Sequence, residues 1–522
     1  MPEWWRERVI YQIYPRSFKD SNGDGVGDLV GITQKLDYLK DLGIGAIWIS
    51  PFFKSPQADC GYDVSDYRAV DPMFGSDQDF ETLLARAHEL DIKVIIDLVL
   101  NHTSCEHPWF QEARKSKDNP KHDWYIWHDG PKPPNNWLCG FTLKNAWCWN
   151  EQTKEYYLGQ FTPEQPEVNW RNKELHDEMM NVLKFWLQRG VDGFRLDVVN
   201  FYFKDAQMRS NPRKITRMPY MFMDHKYDRN QPEVLDVAAE MRQICNSFGE
   251  RALIGEVYAD DTDLAAQFQG NNDRLNIAYN FDFLYQEFSG EMFRKSAQKH
   301  YQSISKYSSD NQPNFTLSNH DQVRACTRYH DSNPARDIMK QKIMCVMLLT
   351  LRGTPTIYYG EEIGMKNVKV PKHLRMDPVA HASFPVNLFG RDPERTPMQW
   401  SGAEHCGFSQ TQPWLPVGDV KINVEDQINN PDSLLSFYKL VLKLRNESRT
   451  LKEGDINIME GTGELFGYRR TFEGEKIQVY LNFGNKPVQV SAKGKILVQQ
   501  EIDVGEEHIT LKALAILVIQ RE

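Results

Sequence analysis

The sequence lacks a run of about 18 apolar residues, the length that a membrane-spanning helix requires. It also lacks a block of basic residues. The net charge is −10 and the pI is about 5.8, which disfavours nucleic acid and anionic lipid as partners. The N-terminal segment has no apolar stretch of the signal-peptide kind. We therefore expect no membrane or nucleic-acid partner, and a cytoplasmic location unless a leader has been removed.

Cysteine is scarce and scattered. The eight cysteines form neither a CxxC pair nor a zinc-site spacing. We expect reduced, partly buried thiols rather than a metal centre. A bridge between Cys139 and Cys148 is the alternative, which a reducing compartment disfavours.

Short β-branched and apolar runs alternate with amphipathic, helix-like stretches along most of the chain. Eight strands alternating with helices predict a (β/α)8 TIM barrel. The competing interpretation is a doubly wound open sheet, but no glycine-rich dinucleotide turn follows the first strand. The strand candidates are residues 9–14, 44–50, 93–100, 193–199, 252–257, 277–281, 315–318 and 354–359.

Three segments depart from this alternation. Residues 103–170, rich in proline, asparagine and tryptophan, predict a subdomain inserted after the third strand. A further insert of about 200–232 follows the fourth strand. Alternating runs in 450–522 predict a C-terminal antiparallel β-sandwich. The barrel would then comprise 1–102 and 171–449.

Charged and polar side chains stand where four of the predicted strands end. In a β/α barrel, catalytic groups occupy the C-terminal ends of the strands, and an unpaired charge inside the barrel is costly. One such carboxylate could be a structural ion pair, but four matching strand ends predict a catalytic site. The residues are His102, Arg195, Asp197, Glu256, His320 and Asp321.

These residues lie in motifs that resemble glycoside hydrolase family 13, the α-amylase family, and within it the α-glucosidase and oligo-1,6-glucosidase branch. The motifs are VIYQIYPRSF at 9–18, DLVLNH at 97–102, GFRLD at 193–197, Glu256 with Gly255, NHD at 319–321 and RTPMQW at 395–400. The similarity runs from Trp4 into the C-terminal region and is weaker in both inserts and after Arg449.

The resemblance implies a retaining glycosidase. Such enzymes need a nucleophilic carboxylate and a carboxylic acid about 5–5.5 Å apart, acting on an oxocarbenium-like state. Asp197 is expected to be the nucleophile, kept ionised by Arg195 on the same strand. Glu256 is expected to be the acid/base, with its pKa raised by Asp197 and Asp321. Asp321 would be the third carboxylate, holding sugar hydroxyls.

The resemblance also implies a pocket closed around one terminal glucose. Asp59 would contact the non-reducing end and pair with Arg391, or with Arg395 as the second choice. A closed pocket means removal of terminal glucose rather than cutting within a chain. A packed rim tyrosine and structural histidines are the alternatives. The expected substrate-binding residues are Asp59, Tyr62, His102, Arg195, His320 and Arg391.

Oxygen-bearing residues alternate in the segment 20–28, as at the start of an EF-hand loop. The twelfth position is Gly31 instead of glutamate, and the segment precedes a single helix, so we reject an EF-hand sensor. The resemblance implies a structural Ca²⁺ here, with Mg²⁺ or no ion as alternatives. No organic cofactor is expected. The expected ligands are Asp20, Asn22, Asp24, the Val26 carbonyl and Asp28.

The expected activity is that of a retaining, exo-acting α-glucosidase on small α-glucosides of the maltose, isomaltose or sucrose type. An α-glucosyltransferase or sucrose isomerase using the same intermediate is the alternative. An inactive binding relative is disfavoured because the carboxylates are complete and no N-terminal span is seen. The resemblance leaves the linkage open: in that branch a valine at the position of Val198 accompanies activity on α-1,6 links, whereas 200–203 resembles bacterial α-1,4-glucosidases and glucosyl-transferring relatives. The oligomeric state is left open between monomer and homodimer.

Overall fold

Strands and helices alternate through the first 450 residues, and strands follow. The computed structural model describes residues 3–214, 223–258, 261–279, 281–383, 386–461 and 463–521. The strands are β1 (Ile10–Ile13), β2 (Ala46–Ile49), β3 (Phe53–Lys54), β4 (Asp66–Val70), β5 (Lys93–Leu98), β6 (Trp127–His128), β7 (Trp147–Asn150), β8 (Glu155–Leu158), β9 (Gly193–Leu196), β10 (Ala252–Glu256), β11 (Ile277–Tyr279), β12 (Asn314–Thr316), β13 (Thr354–Tyr358), β14 (Asp455–Ile458), β15 (Leu465–Phe472), β16 (Glu475–Asn482), β17 (Val488–Val490), β18 (Lys495–Val504) and β19 (Ile509–Arg521).

Amphipathic helices connect the strands. The α-helices are α1 (Trp4–Glu7), α2 (Pro15–Phe18), α3 (Leu29–Gln34), α4 (Leu36–Leu42), α5 (Asp77–Glu89), α6 (Pro108–Ala113), α7 (Lys173–Gln188), α8 (Glu233–Ser247), α9 (Thr262–Gln267), α10 (Asp282–Tyr285), α11 (Gly290–Ser305), α12 (Ala325–Arg328), α13 (Pro334–Thr350), α14 (Val424–Ile428), α15 (Leu434–Glu447) and α16 (Arg449–Lys452). Among these, no helix in the described ranges is both long enough and apolar enough to cross a bilayer.

Eight parallel strands close into a barrel. The order around it is β1-β2-β5-β9-β10-β11-β12-β13, and β13 pairs back with β1. The predicted TIM barrel is confirmed, and each strand falls at its predicted place. Strands covered on both faces read as continuous apolar runs, which is why the runs were visible in the sequence.

The barrel interior is apolar at its N-terminal end and charged at its C-terminal end. The interior cluster is formed by Trp4, Trp5, Ile10, Ala46, Trp48, Ile95, Ala252, Ile254, Ile277 and Tyr279. Side chains alternate between the faces of a strand. Asp97 and Glu256 therefore follow Ile95 and Ile254 on the inner face, at the rim where the strands end.

A small antiparallel sheet, ordered β6-β8-β7, follows the third barrel strand. It has its own apolar cluster around Trp137, Trp147 and Leu158. Trp137 Nε1 donates to the Arg209 carbonyl at 3.0 Å, so this segment packs on the second insert. These elements lie in the predicted subdomain, whose limits stay a prediction. Part of the second insert, 215–222, lies outside the described residues.

The C-terminal region, predicted as an antiparallel β-sandwich, is a six-stranded antiparallel sheet. Its strands run in the order β14-β15-β16-β19-β17, with β18 also pairing with β19. One face contributes Phe466, Tyr468 and Val479 to the main core, and the other carries a separate cluster. The Arg470 guanidinium links this sheet to the barrel by donating to the carbonyls of Thr350, Leu451 and Gly454 at 2.7–2.9 Å.

Candidate active site

A cavity of about 580 Å³ opens at the C-terminal end of the barrel strands. It is lined by all but two of the predicted catalytic and substrate-binding residues. Arg195 and His320 are not among its lining residues, but both contact residues that line it. The predicted residues that line it are Asp59, Tyr62, His102, Asp197, Glu256, Asp321 and Arg391.

Three carboxyl groups share the buried guanidinium of Arg195. Its Nη1 donates to Asp197 Oδ1 at 2.7 Å and to Asp97 Oδ1 at 2.8 Å. Its Nη2 donates to Glu256 Oε2. Arg195 is therefore placed to orient the two proposed reacting carboxyls, and its expected contact with substrate stays a prediction.

Burial dominates the protonation of this cluster. It raises the pKa of Asp197 well above its usual value, and Glu256 and Asp97 add to the rise against the pull of Arg195. Burial likewise raises the pKa of Glu256, with a further contribution from Asp321. The contribution expected from Asp321 is present, whereas the hydrogen bond with Asp197 lowers the pKa of Glu256. Arg195 favours the charged form of Asp197, as expected, but burial and the two neighbouring carboxyls outweigh it in the ligand-free site.

The cluster must therefore retain a proton. With all three carboxyls ionised, Arg195 would leave a net buried charge of about −2, which a low-dielectric site disfavours. Asp97 is stabilised as the anion by additional donors, Trp48 Nε1 and the Tyr62 hydroxyl, both at 3.2 Å. The proton thus belongs to the remaining pair, Asp197 and Glu256.

Asp321 lies between two guanidinium groups. Arg395 Nη2 and Arg391 Nη1 donate to its Oδ1 at 2.7 and 3.0 Å. Although burial disfavours its charge, His320, Arg391 and Arg395 hold the pKa of Asp321 far below its usual value. This carboxyl is therefore an anion at any pH at which the protein works.

One end of the cavity is closed by an ion pair. Arg391 Nη2 donates to Asp59 Oδ1 at 2.7 Å, and both side chains are almost fully buried. The predicted pairing with Arg391 is confirmed, and Arg395, the second choice, contacts Asp321 instead. Burial nevertheless raises the pKa of Asp59 to about 6. Gln165 Nε2 also donates to Asp59, at 3.1 Å.

Asp377 holds Arg391 from outside the cavity. Its Oδ1 accepts from Arg391 Nη2 at 2.8 Å and from Nε at 3.2 Å, and its Oδ2 accepts from the Arg391 backbone. Sequence reasoning missed Asp377 and Gln165. Both lie in irregular segments without periodicity, so the sequence contained no local signal for them.

The two predicted histidines have different positions. His102 lines the cavity, with Gln165 Nε2 at 3.0 Å from its Nε2. The His320 ring stacks on Tyr62, with centroids 5.4 Å apart, and has Gln12 Nε2 at 2.8 Å from its Nδ1. Burial lowers the pKa of each histidine to about 3. Both are therefore neutral, and the expectation that they bind substrate stays a prediction.

Val198, directly after Asp197, adopts a left-handed backbone conformation with φ of 35°. Such a φ is a genuine outlier for a β-branched residue and costs about 1–3 kcal/mol. The conformation turns its N–H toward Glu256 Oε2, at 3.3 Å, and its side chain lines the cavity. The backbone is thus strained at the residue that connects Asp197 to the hydrogen bond with Glu256.

The other end of the cavity is open and apolar. Three large apolar or aromatic residues that line it are strongly exposed to solvent, with exposed fractions of 43% for Val323, 56% for Tyr285 and 69% for Leu388. Asp59, at the closed end, is 3% exposed. A sugar with its terminal residue at Asp59 would therefore point its remaining part toward this open end.

The 20–28 loop is closed by its own hydrogen bonds. Asp20 Oδ1 accepts from the backbone of Asn22 and Gly23, and Asp24 Oδ1 accepts from that of Val26. Asp28 Oδ1 accepts from Gly31 as the N-cap of α3. The oxygens are of the kind that Ca²⁺ prefers. In the described segments, however, no three Asp, Glu, His or Cys side chains converge on one point.

Comparison with known proteins agrees with this geometry. The family described as Alpha amylase, catalytic domain, matches residues 12–454. The chain is 39% identical to a probable alpha-glucosidase of Rhizobium meliloti, covering 93% of this chain and 90% of the relative. It is 37% identical to an oligo-1,6-glucosidase of Bacillus cereus, covering 99% of both.

Two solved structures share the whole architecture. An alpha-glucosyl transfer enzyme superposes with a TM-score of 0.93 at 38% identity, covering 100% of both chains. A trehalulose synthase variant superposes with a TM-score of 0.90 at 31% identity, covering 99% of this chain and 100% of that one. The chain therefore belongs to the alpha-amylase family, family 13 of the glycoside hydrolases.

Proposed function

We propose that this protein is a retaining, exo-acting α-glucosidase that hydrolyses terminal α-linked glucose from disaccharides and short oligosaccharides. The observation that carries the proposal is the pair of carboxyls, Asp197 and Glu256, bound to one guanidinium in a cavity closed at its far end by Asp59 and Arg391. A cavity that ends behind one sugar residue suits removal of terminal units.

In the proposed first step, Asp197 attacks the anomeric carbon while the bond to the glycosidic oxygen breaks. Glu256 transfers its proton to that oxygen, and the leaving sugar departs. Binding of substrate requires the one shared proton to lie on Glu256 and the charge on Asp197. The charge of Asp321, which raises the pKa of Glu256, supports that distribution.

In the second step, Glu256 takes a proton from water, whose oxygen attacks the anomeric carbon and releases Asp197. Two inversions give net retention. Asp321, ionised and fixed by Arg391 and Arg395, would accept hydrogen bonds from glucose hydroxyls and stabilise the positive charge that develops on the ring. Tyr62 would cover one face of the ring.

Turnover on maltose, isomaltose, sucrose and soluble starch tests the proposal. Free glucose should appear first as the α-anomer from the disaccharides, and starch should thin slowly. Asp197→Asn should lose at least about 10³-fold in kcat, since the nucleophile is removed. A first product of inverted configuration, or full activity of Asp197→Asn, would contradict the mechanism.

The second candidate is an α-glucosyltransferase or sucrose isomerase that uses the same intermediate. The two structural neighbours, a glucosyl transfer enzyme and a trehalulose synthase, favour it. The open apolar end of the cavity, where a second sugar could replace water, also supports it. Chromatography of products at high maltose or sucrose concentration separates the candidates, because a transferase makes new disaccharides or trisaccharides as the main products.

We further propose a structural Ca²⁺ at the 20–28 loop, with Mg²⁺ as the alternative. Oxygen ligands on alternate residues support it, although the loop already satisfies many of these oxygens internally. EDTA should lower the thermal unfolding midpoint and added Ca²⁺ should restore it, with Asp24→Ala insensitive to both. An unchanged midpoint would argue against the ion. A cytoplasmic location, a monomer or homodimer, and the domain limits given above stay predictions.

A further inference from the structure

The proposed mechanism leaves one carboxyl in the cavity unused. Glu394, which directly precedes Arg395 in the sequence, is 4% exposed and lines the cavity. Its Oε2 accepts from Asn367 Nδ2 at 3.0 Å. Among the residues that the structure describes, Asn367 is the only side chain that hydrogen bonds to this carboxyl, although a carboxyl has about four acceptor positions.

Asn367 is itself held in one orientation. Its Oδ1 accepts from the backbone N–H of Arg324 at 3.0 Å, and its own N–H donates to Thr327 Oγ1 at 2.7 Å. The amide nitrogen must therefore face Glu394. This arrangement fixes the carboxyl before any ligand binds, which is a property of groups that position substrate.

Asn367 also joins Glu394 to the segment that follows Asp321, because its side chain accepts from the Arg324 backbone. Arg324 directly follows Gln322 and Val323, which line the open end. Asp59 and Arg391 close the opposite end. A substrate that extends from Asp59 toward the exposed Val323 would bring its leaving sugar to the wall that Glu394 shares with Gln322 and Val323.

We propose that Glu394, oriented by Asn367, hydrogen bonds to a hydroxyl of the leaving sugar and so makes the enzyme prefer sugars to hydroxyl-free groups at that position. The inference rests on the α-glucosidase function proposed above. It concerns binding of the leaving group, whereas that function depends on Asp197 and Glu256.

The chemistry of the carboxyl fits a hydroxyl partner. Burial raises the pKa of Glu394 to about 8, with Asp321 and Asp377 contributing and Arg395 opposing. At neutral pH the group is therefore mostly the neutral acid, which can donate one hydrogen bond and accept another. A sugar hydroxyl needs both, whereas a nitrophenyl group offers no hydroxyl.

The test compares kcat/KM for isomaltose or maltose with that for p-nitrophenyl α-glucoside. Glu394→Met keeps the volume of the side chain but removes the hydrogen bond. We expect it to lower kcat/KM about tenfold or more for the disaccharide and less than about threefold for the nitrophenyl substrate. Glu394→Gln can still donate and accept, and should keep most of the wild-type preference.

Asp392→Asn is the matched control. Asp392 is a buried carboxyl two residues away that accepts from the backbone of Met376 and Asp377 and does not line the cavity. Its loss should change both substrates by the same factor. If Glu394→Met does not fold, Asn367→Asp keeps the acceptor for Arg324 but no longer donates to Glu394, and should give the same selective loss.

The inference would be overturned if the Glu394 and Asn367 variants lost activity equally on both substrates, or lost none on either. A wild-type enzyme that cleaves only the nitrophenyl substrate would also overturn it. A wild-type protein that cleaves neither substrate would instead refute the proposed function.

Discussion

The ion pair that closes the cavity leads to a quantitative prediction. Asp59→Asn and Arg391→Lys should each reduce kcat/KM for p-nitrophenyl α-glucoside, but the double variant should lose less than the product of the two losses. Asn keeps the shape of Asp59 without its charge. Lys keeps the charge of Arg391 but cannot bridge Asp59 and Asp321 at once.

The expected size of the coupling follows from distance and burial. Arg391 Nη2 lies 2.7 Å from Asp59 Oδ1, and both side chains are nearly buried. Two charges about 4 Å apart at an effective dielectric constant of about 20 attract by about 4 kcal/mol. Arg391 is shared with Asp321 and Asp377, and desolvation offsets part of the attraction. We therefore expect a coupling of about 2 kcal/mol, or about thirtyfold in kcat/KM.

The assay is a double-mutant cycle at about pH 7.5, where Asp59, with a pKa of about 6, is ionised. Because a raised pKa means that Asp59 takes up a proton as the pH falls through about 6, the coupling should shrink at about pH 5. Asp263→Asn, which removes an exposed pair with Lys306, is the control and should be additive with Arg391→Lys. Additivity of the Asp59 and Arg391 changes within about 0.5 kcal/mol at both pH values would refute the reasoning.

Three further changes have distinct outcomes. Asp377→Asn places an amide N–H against the Arg391 backbone N–H, so KM should rise about tenfold while kcat stays within about threefold of the wild-type value. Steady-state kinetics that show a lower kcat with an unchanged KM would contradict this. Arg470→Met removes the donor for three buried carbonyls, so the free energy of unfolding should fall by about 3 kcal/mol; calorimetry should show a lower midpoint with unchanged kcat/KM at room temperature. Burial raises the pKa of Glu361 from 4.5 to about 7, so its charge costs stability as the pH rises through that range, by about 3 kcal/mol. The calorimetric midpoint of Glu361→Gln should therefore exceed that of the wild type above pH 7 and approach it near pH 4, whereas a constant offset would count against the pKa shift.

The barrel and the rim of its site were predictable because their signals are local. Each barrel strand is an apolar run, and parallel strands all end at one rim, so Asp197 and Glu256 at their strand ends had to meet there. The pairing of Asp59 with Arg391 came from the motif resemblance, since nothing in the local pattern joins two positions so far apart along the chain.

Other parts of the site depended on contacts between loops. Asp377 and Glu394 lie in irregular segments whose partners, Arg391 and Asn367, are 14 and 27 positions away. Arg195 and His320 were assigned to the substrate, and the structure adds that Arg195 binds three carboxyls and that His320 stacks on Tyr62. A strand pattern tells which face a side chain occupies, but the depth at which it sits depends on what packs above it.

The order of residues by itself thus determined which strands form, which way they point, and which acids stand at their ends, because these follow from hydrophobic periodicity and chain direction. Only the tertiary structure decided how the charges are shared. Burial beside two other carboxyls raises the pKa of Asp197 despite its contact with Arg195, whereas two guanidiniums around Asp321 lower its pKa. Electrostatic interaction depends on distance and burial in three dimensions, and neither can be derived from the spacing of residues along the chain.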